Sequence, residues 1–95
     1  MNLEQLRACS QQIKAVAAAN RAGNVRVFGS VARGDSSEKS DVDLLVTLAP
    51  DASLFDIAGL HAELSELLHC DVDVIPDESI DPIIASSVLR DAVPL

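Results

Sequence analysis

The chain has no tryptophan, no tyrosine, two phenylalanines, two cysteines and one methionine. With Phe28 and Phe55 as its only aromatic rings, and both read as core, it presents no evident platform on which a nucleobase could stack. Two cysteines, Cys9 in a helical pattern and Cys70 beside a strand, are too few for a disulfide framework or a metal knuckle. They are read as small buried hydrophobes. Basic residues are also scarce: seven Lys and Arg stand against fifteen Asp and Glu, for a formal charge of −8. Binding to a long nucleic acid rests on Lys and Arg neutralising phosphates, so that partner class is set aside. No apolar run approaches the roughly 20 residues that cross a bilayer, and no charged-then-apolar leader opens the chain. The expectation is a cytoplasmic protein with no membrane partner.

What is present is a compact apolar inventory of Ala, Leu, Val and Ile, 48% of the chain counted with its few aromatics, cysteines and methionine. Its 95 residues suit one domain, 1–95, able to bury roughly 60–65% of its unfolded surface but too short for a separate substrate domain. Leu3, Leu6, Ser10, Ile13 and Ala17 fall at helical spacing and predict one amphipathic helix from 3 to about 19, closed by Asn20 and Gly23. Val25 to Phe28 reads as a short strand. Gly29 ends it, and Ser30 is placed to cap a helical turn through Arg33 before Gly34 breaks it. Residues 35–40 are polar and read as a loop. Asp41 to Leu48 is a second strand, mostly apolar, as for a strand covered on both faces. A second helix follows, with Leu54, Ile57, Ala58, His61, Leu64 and Leu68 in one stripe. Val72 to Ile75 is a third strand, and Asp81-Pro82 opens a last helix to about Asp91. The order is αβ(α)βαβα, an α/β (α+β) class with a small mixed sheet of three or four strands flanked by helices.

The chemistry concentrates in VFGSVARGDSSEKSDVDLLVTL. In a strand, alternate side chains share a face, so Asp41 and Asp43 project together. Two adjacent carboxylates repel unless a cation lies between them, and paired oxygen ligands suit Mg²⁺, especially when substrate phosphates complete its shell. The preceding Gly29-Ser30 turn is placed to supply phosphate contacts. On the third strand Asp73 stands between valines, where an ionised group is costly without a partner; Asp71, at the strand entrance, is read as solvated. If the second and third strands are neighbours, Asp73 joins Asp41 and Asp43. Three carboxylates would form a two-metal site, with Asp73 placed to take a proton from a nucleophile.

Competing readings of the same residues fail on chemistry. Gly29 to Gly34 fits the glycine frame of a P-loop, but Asp35-Ser36 stands where Lys and Ser or Thr are required, and an Asp there repels phosphate. A calcium loop starting at Asp41 would need Gly at Val46 and Glu at Ala52. Taken singly, the Gly-Ser turn is an ordinary strand-to-helix connection and Asp41 a solvated strand end; their joint occurrence with Asp43 and Asp73 favours a site. His61 and His69 are read as structural. Asp77, Glu78 and Asp81 are read as a solvated loop and helix start.

The set Gly29-Ser30, Ala32-Arg33-Gly34, Ser40-Asp41-Val42-Asp43-Leu44 and Val72-Asp73-Val74 resembles the DNA polymerase beta-type nucleotidyltransferase superfamily. More narrowly, it resembles the minimal nucleotidyltransferases, MNT, of the MntA-like antitoxin type, over about residues 25–95. The resemblance implies the nucleotidyltransferase fold. It also implies ATP bound with Mg²⁺, two ions in all, with Asp41, Asp43 and Asp73 as metal ligands and catalytic residues. By the same resemblance Gly29 and Ser30 hold the β and γ phosphates, and Arg33 steadies the triphosphate or the leaving pyrophosphate.

The implied reaction is attack of an acceptor hydroxyl on the α-phosphate, carried mostly by alignment and charge neutralisation. Antitoxins of this kind are partners of all-helical HEPN ribonuclease toxins, and the resemblance implies adenylylation of a toxin tyrosine. With no Tyr of its own, the chain would modify an acceptor in trans. Two other readings compete with this one. The first is a binding module that masks the HEPN partner without catalysis. The second is a small-molecule nucleotidyltransferase of the aminoglycoside-modifying kind, disfavoured by the missing second domain.

Overall fold

The computed structural model describes residues 1–34 and 41–95. The elements are α1 (Leu3–Ala8), α2 (Ser10–Ala19), β1 (Ala22–Phe28), α3 (Gly29–Arg33), β2 (Val42–Leu48), α4 (Leu54–Leu68), β3 (Val72–Pro76), a 3₁₀ turn (Asp77–Ser79), α5 (Pro82–Asp91) and β4 (Val93–Pro94). The strands form one sheet in the order β3-β2-β1-β4. β1 runs antiparallel to β2 and β4, while β2 and β3 are parallel, joined by α4 as the crossover that parallel pairing requires. The expected mixed sheet flanked by helices is present.

Alternation along the strands sets up two faces. Val25 and Val27 of β1, Val42, Leu44 and Val46 of β2, and Val72 of β3 enter one core with Leu6, Ile13 and Ala17 of the first two helices and Leu60, Leu64 and Leu68 of α4. The other face carries Arg26, Phe28, Asp43, Leu45, Thr47 and Asp73. Leu45 on this face is fully buried, so β2 is covered on both sides, as its nearly continuous apolar run predicts. Beyond β3 the chain returns across this second face to the opposite edge. There Asp77 accepts hydrogen bonds from the Thr47 hydroxyl at 2.6 Å and the Arg26 guanidinium at 3.1 Å.

Several local expectations are corrected. The helix predicted over 3–19 is interrupted at Cys9 (φ −101°, ψ 9°), whose N–H donates to the Leu6 carbonyl at 3.0 Å. This i to i−3 bond tightens the end of α1. An Asn2/Gln5 capping box starts α1 independently, yet Leu6, Ile13 and Ala17 still share one buried stripe. β1 begins at Ala22 rather than Val25, because Ala22 and Gly23 pair with Leu48 and Thr47 ahead of a bulge. Long-range pairing there overrides the local turn signal of Gly23 and Asn24. Phe55, expected in the core, is 89% exposed. His61, expected on the apolar stripe, is also exposed. The row that packs is Leu60, Leu64 and Leu68: Leu60, missing from the expected stripe, is fully buried, whereas Leu54 and Ala58 of that stripe are exposed, and Phe55 projects from the far side of the helix. Cys9 and Cys70 are half-buried against the core margin. Among the described residues no helix is long and apolar enough to cross a membrane.

Candidate active site

The site is built where β1 ends and β2 and β3 begin. Asp43 stands opposite Phe28 on one side and Asp73 on the other, because β2 pairs with both neighbouring strands in that register. The two carboxyl groups are therefore adjacent, with Asp43 half-buried and Asp73 exposed. Asp41 lies just outside β2, exposed, beside the point where the Val42 N–H donates to the Asp71 carbonyl at 3.1 Å.

Gly29 closes the site from above. It has a φ of +74°, and a Cβ there would lie 2.5 Å from Oδ2 of Asp43. Only glycine combines that left-handed backbone with so close an approach. The turn delivers the chain into α3, whose N-cap is Phe28. This corrects the expected capping by Ser30, which is instead the second residue of the helix. α3 ends at Gly34 in the left-handed conformation (φ 80°, ψ 15°), as its glycine predicts. The intervening Val31 is buried in the core and anchors the turn. Arg33, at the last helical position, places Nη1 3.0 Å from Oδ2 of Asp91 in α5.

The electrostatics follow from this crowding. Burial raises the Asp43 pKa first, then the Asp73 charge, a hydrogen bond with the Asp73 carboxyl and the Asp41 charge, while the Arg33 guanidinium opposes them. Ionised Asp43 thus lacks sufficient positive charge from its surroundings, a deficit that a divalent cation would fill. Among the described residues no three His, Cys, Asp or Glu side chains stand close enough to hold a metal alone. An open carboxylate pair that leaves ligand positions to phosphates and water is nonetheless the usual form of a Mg²⁺ site, and the donors here are all hard oxygens.

The structure brings Gly29, Asp43 and Asp73 into direct proximity and puts Asp41 and Arg33 within electrostatic reach of Asp43. Ser30 follows Gly29 at the head of α3. Asp91 was not legible as part of this neighbourhood: it lies 58 residues from Arg33, and no local pattern links them. Residues 35–40, read as a polar loop and including the P-loop mismatch Asp35-Ser36, lie outside the described residues. Two cavities of about 400 Å³ sit at the other end of the sheet, both bordered by Ala22, Gly23 and Asn24, and neither is lined by any candidate site residue.

Comparison with known proteins gives a consistent answer. The model of the nucleotidyltransferase domain matches residues 9–94. The chain is 41% identical over 69 residues to the protein adenylyltransferase MntA of Thermococcus cleftensis, covering 73% of this chain and 70% of that one. It is 42% identical over 67 residues to a Methanocaldococcus jannaschii protein named as a candidate protein adenylyltransferase, covering 70% and 72%. A solved structure described as a candidate minimal nucleotidyltransferase superposes with a TM-score of 0.88 at 43% identity, over all of this chain and 97% of that one. The MNT antitoxin complex with tri-AMPylated Shewanella oneidensis HEPN toxin matches with a TM-score of 0.70 at 19% identity, covering 93% of this chain and 69% of that one. That last likeness is one of fold alone.

Proposed function

Because this chain belongs to the nucleotidyltransferase domain family, we propose that it transfers AMP from ATP to a hydroxyl of a cognate HEPN ribonuclease toxin, a tyrosine being the expected acceptor, and so acts as the antitoxin of a pair. The observation that carries this reading is the register that sets Asp43 beside Asp73 on parallel strands, directly under the Gly29 turn. The protein adenylyltransferase identity of its relatives supports the acceptor class.

In this mechanism the acceptor oxygen bonds to the α-phosphorus, the bond from that phosphorus to the bridging oxygen breaks, and pyrophosphate leaves. Asp73, exposed on the sheet face, accepts the hydroxyl proton. Gly29 and Ser30 bind the β and γ phosphates through backbone N–H groups at the head of α3 and the Ser30 hydroxyl; the absence of a side chain at Gly29 lets phosphate and Asp43 share the space. Arg33 adds a guanidinium to the phosphate end. Asp43 and Asp73 are the adjacent pair that would hold Mg²⁺; the trio expected with Asp41 is not gathered closely enough to hold an ion by itself, so Asp41 would add its oxygen only with phosphates and water, and the bound metal, two ions on the family pattern, would neutralise phosphate charge. The acceptor hydroxyl is presented by the partner, and the reaction takes place in the cytoplasm, where ATP is available.

The test is intact-mass spectrometry of the co-purified HEPN partner after incubation with this protein, ATP and Mg²⁺, with the Asp41→Asn/Asp43→Asn double variant as control. A gain of one or more AMP units, absent with the control, is the expected result. A stable complex with no mass gain would refute transfer to this partner and favour masking without catalysis.

A further inference from the structure

Arg33 links two parts of the molecule. It ends α3, four residues after Gly29, whose backbone abuts the Asp43 carboxylate, and its Nη1 lies 3.0 Å from Oδ2 of Asp91, in the last turn of α5. The Asp91 side chain is 28% exposed and that of Arg33 48%. An ion pair this wet contributes little to stability. Its geometric effect is larger, because a contact at Nη1 narrows the directions in which the rest of the rigid, planar guanidinium can point.

The two ends of α3 are thus both held: the first residue against Asp43, the last by Asp91. In a helix of only five residues, the Asp91 contact is a tether on the terminal side chain that comes from outside the helix. α5 is itself returned to the sheet at once, since β4 pairs Val93 with Val27 and Pro94 with Arg26. Asp91 is therefore anchored from behind by a strand.

We infer that Asp91 is a positioning residue for nucleotide binding, holding the Arg33 guanidinium beside the Asp43 and Asp73 pair so that it meets the triphosphate already oriented. This rests on the nucleotidyltransferase reading of that pair. A long cationic side chain that must be ordered during binding costs affinity, and one ordered beforehand does not.

The experiment is calorimetric titration of the full chain with Mg²⁺ and a non-hydrolysable ATP analogue, for wild type, Asp91→Asn, Asp91→Glu, Arg33→Ala and the Asp91→Asn/Arg33→Ala double variant. Asp91→Asn should raise Kd about five- to tenfold, as expected for one freed rotamer-rich side chain, with Asp91→Glu restoring most of the loss. In the Arg33→Ala background Asp91→Asn should change nothing further, the non-additivity expected of residues acting as a unit. In transfer assays KM for ATP should rise while kcat stays within about twofold, the mark of lost uniform binding.

Unchanged affinity in Asp91→Asn overturns the inference. Tighter binding also does, by making Asp91 a competitor for the guanidinium rather than its support. A loss that persists without Arg33 assigns Asp91 a merely structural role and overturns it as well. Failure of the wild type to bind nucleotide overturns the reading of the site and this inference with it, whereas wild-type binding with an unaltered Asp91→Asn variant overturns this inference alone.

Discussion

Replacing Gly29 by alanine should damage this protein twice, and a second glycine allows the two injuries to be separated. Gly29 and Gly34 bracket α3 and both have positive φ, +74° and +80°. An alanine at either pays the left-handed penalty of about 1–2 kcal/mol. At Gly34 the added Cβ meets no described atom within 4 Å, whereas at Gly29 it would lie 2.5 Å from Oδ2 of Asp43. Asp43 must then leave its rotamer, which costs a further 0.5–1.5 kcal/mol or so. The gain from stiffening the unfolded chain is common to both variants and cancels in their difference. Gly29→Ala should therefore lose about 0.5–1.5 kcal/mol more than Gly34→Ala and melt roughly 2–12 °C below it, for a domain of this size. Displacement of a reacting carboxylate by about 1 Å can cost about a hundredfold in rate, so nucleotidyl transfer should fall at least that far in Gly29→Ala. Thermal denaturation by circular dichroism gives the first quantity, and AMP incorporation from labelled ATP the second. Equal melting temperatures for the two variants, with transfer retained in Gly29→Ala, would refute the close approach of Gly29 to Asp43.

Other residues give independent checks. The Asp43 pKa is held above its ordinary 3.8 by burial and by Asp73 and Asp41, so the folded state binds that proton more tightly than the unfolded one. Stability should fall as pH rises from the ordinary value through the raised one. Asp43→Asn, melted without divalent cation near pH 7, should be as stable as wild type or more so, while its transfer activity is lost; a large drop in melting temperature would contradict the crowding. Asp77 is the opposite case, lowered by the Thr47 hydroxyl and the Arg26 guanidinium despite partial burial. Its contribution is present above the ordinary carboxylate pKa and lost as pH falls through the lower folded value. Asp77→Asn should cost about 1–2 kcal/mol at pH 7 and progressively less in urea titrations at lower pH; a loss independent of pH would exclude the ionised network. Gly59→Ala, ordinarily worth about 1 kcal/mol to a helix, should instead destabilise. Its Cβ would lie 2.7 Å from Oδ1 of Asn20, whose amide is committed to Val16 and Glu63. Thermal melts in an Asn20→Ala background should show that loss removed.

What the sequence determined by itself was whatever depends on near neighbours along the chain. Alternation in VDLLVTL set Val42, Leu44 and Val46 toward the core and Asp43 on the opposite face, Gly29 and Gly34 marked the limits of α3, and Asp81-Pro82 marked the start of α5. The order of Gly-Ser, paired Asp and later Asp was enough to place the chain in its family, because that chemistry lies on three short segments, each locally readable. Tertiary structure decided what depends on distant partners. Only strand pairing set Asp43 against Asp73 rather than Asp71, a two-residue choice of register that alternation leaves open because it keeps every side chain on its face. Pairing with β2 also lengthened β1 backward to Ala22 through a bulge. Packing against the sheet kept Leu64 and Leu68 of the expected stripe on α4, brought in Leu60, which that stripe had missed, and left Leu54 and Phe55 in solvent. The contact of Arg33 with Asp91 had no sequence signature, since a surface ion pair between segments 58 residues apart arises only after the chain has crossed the sheet and come back to α3.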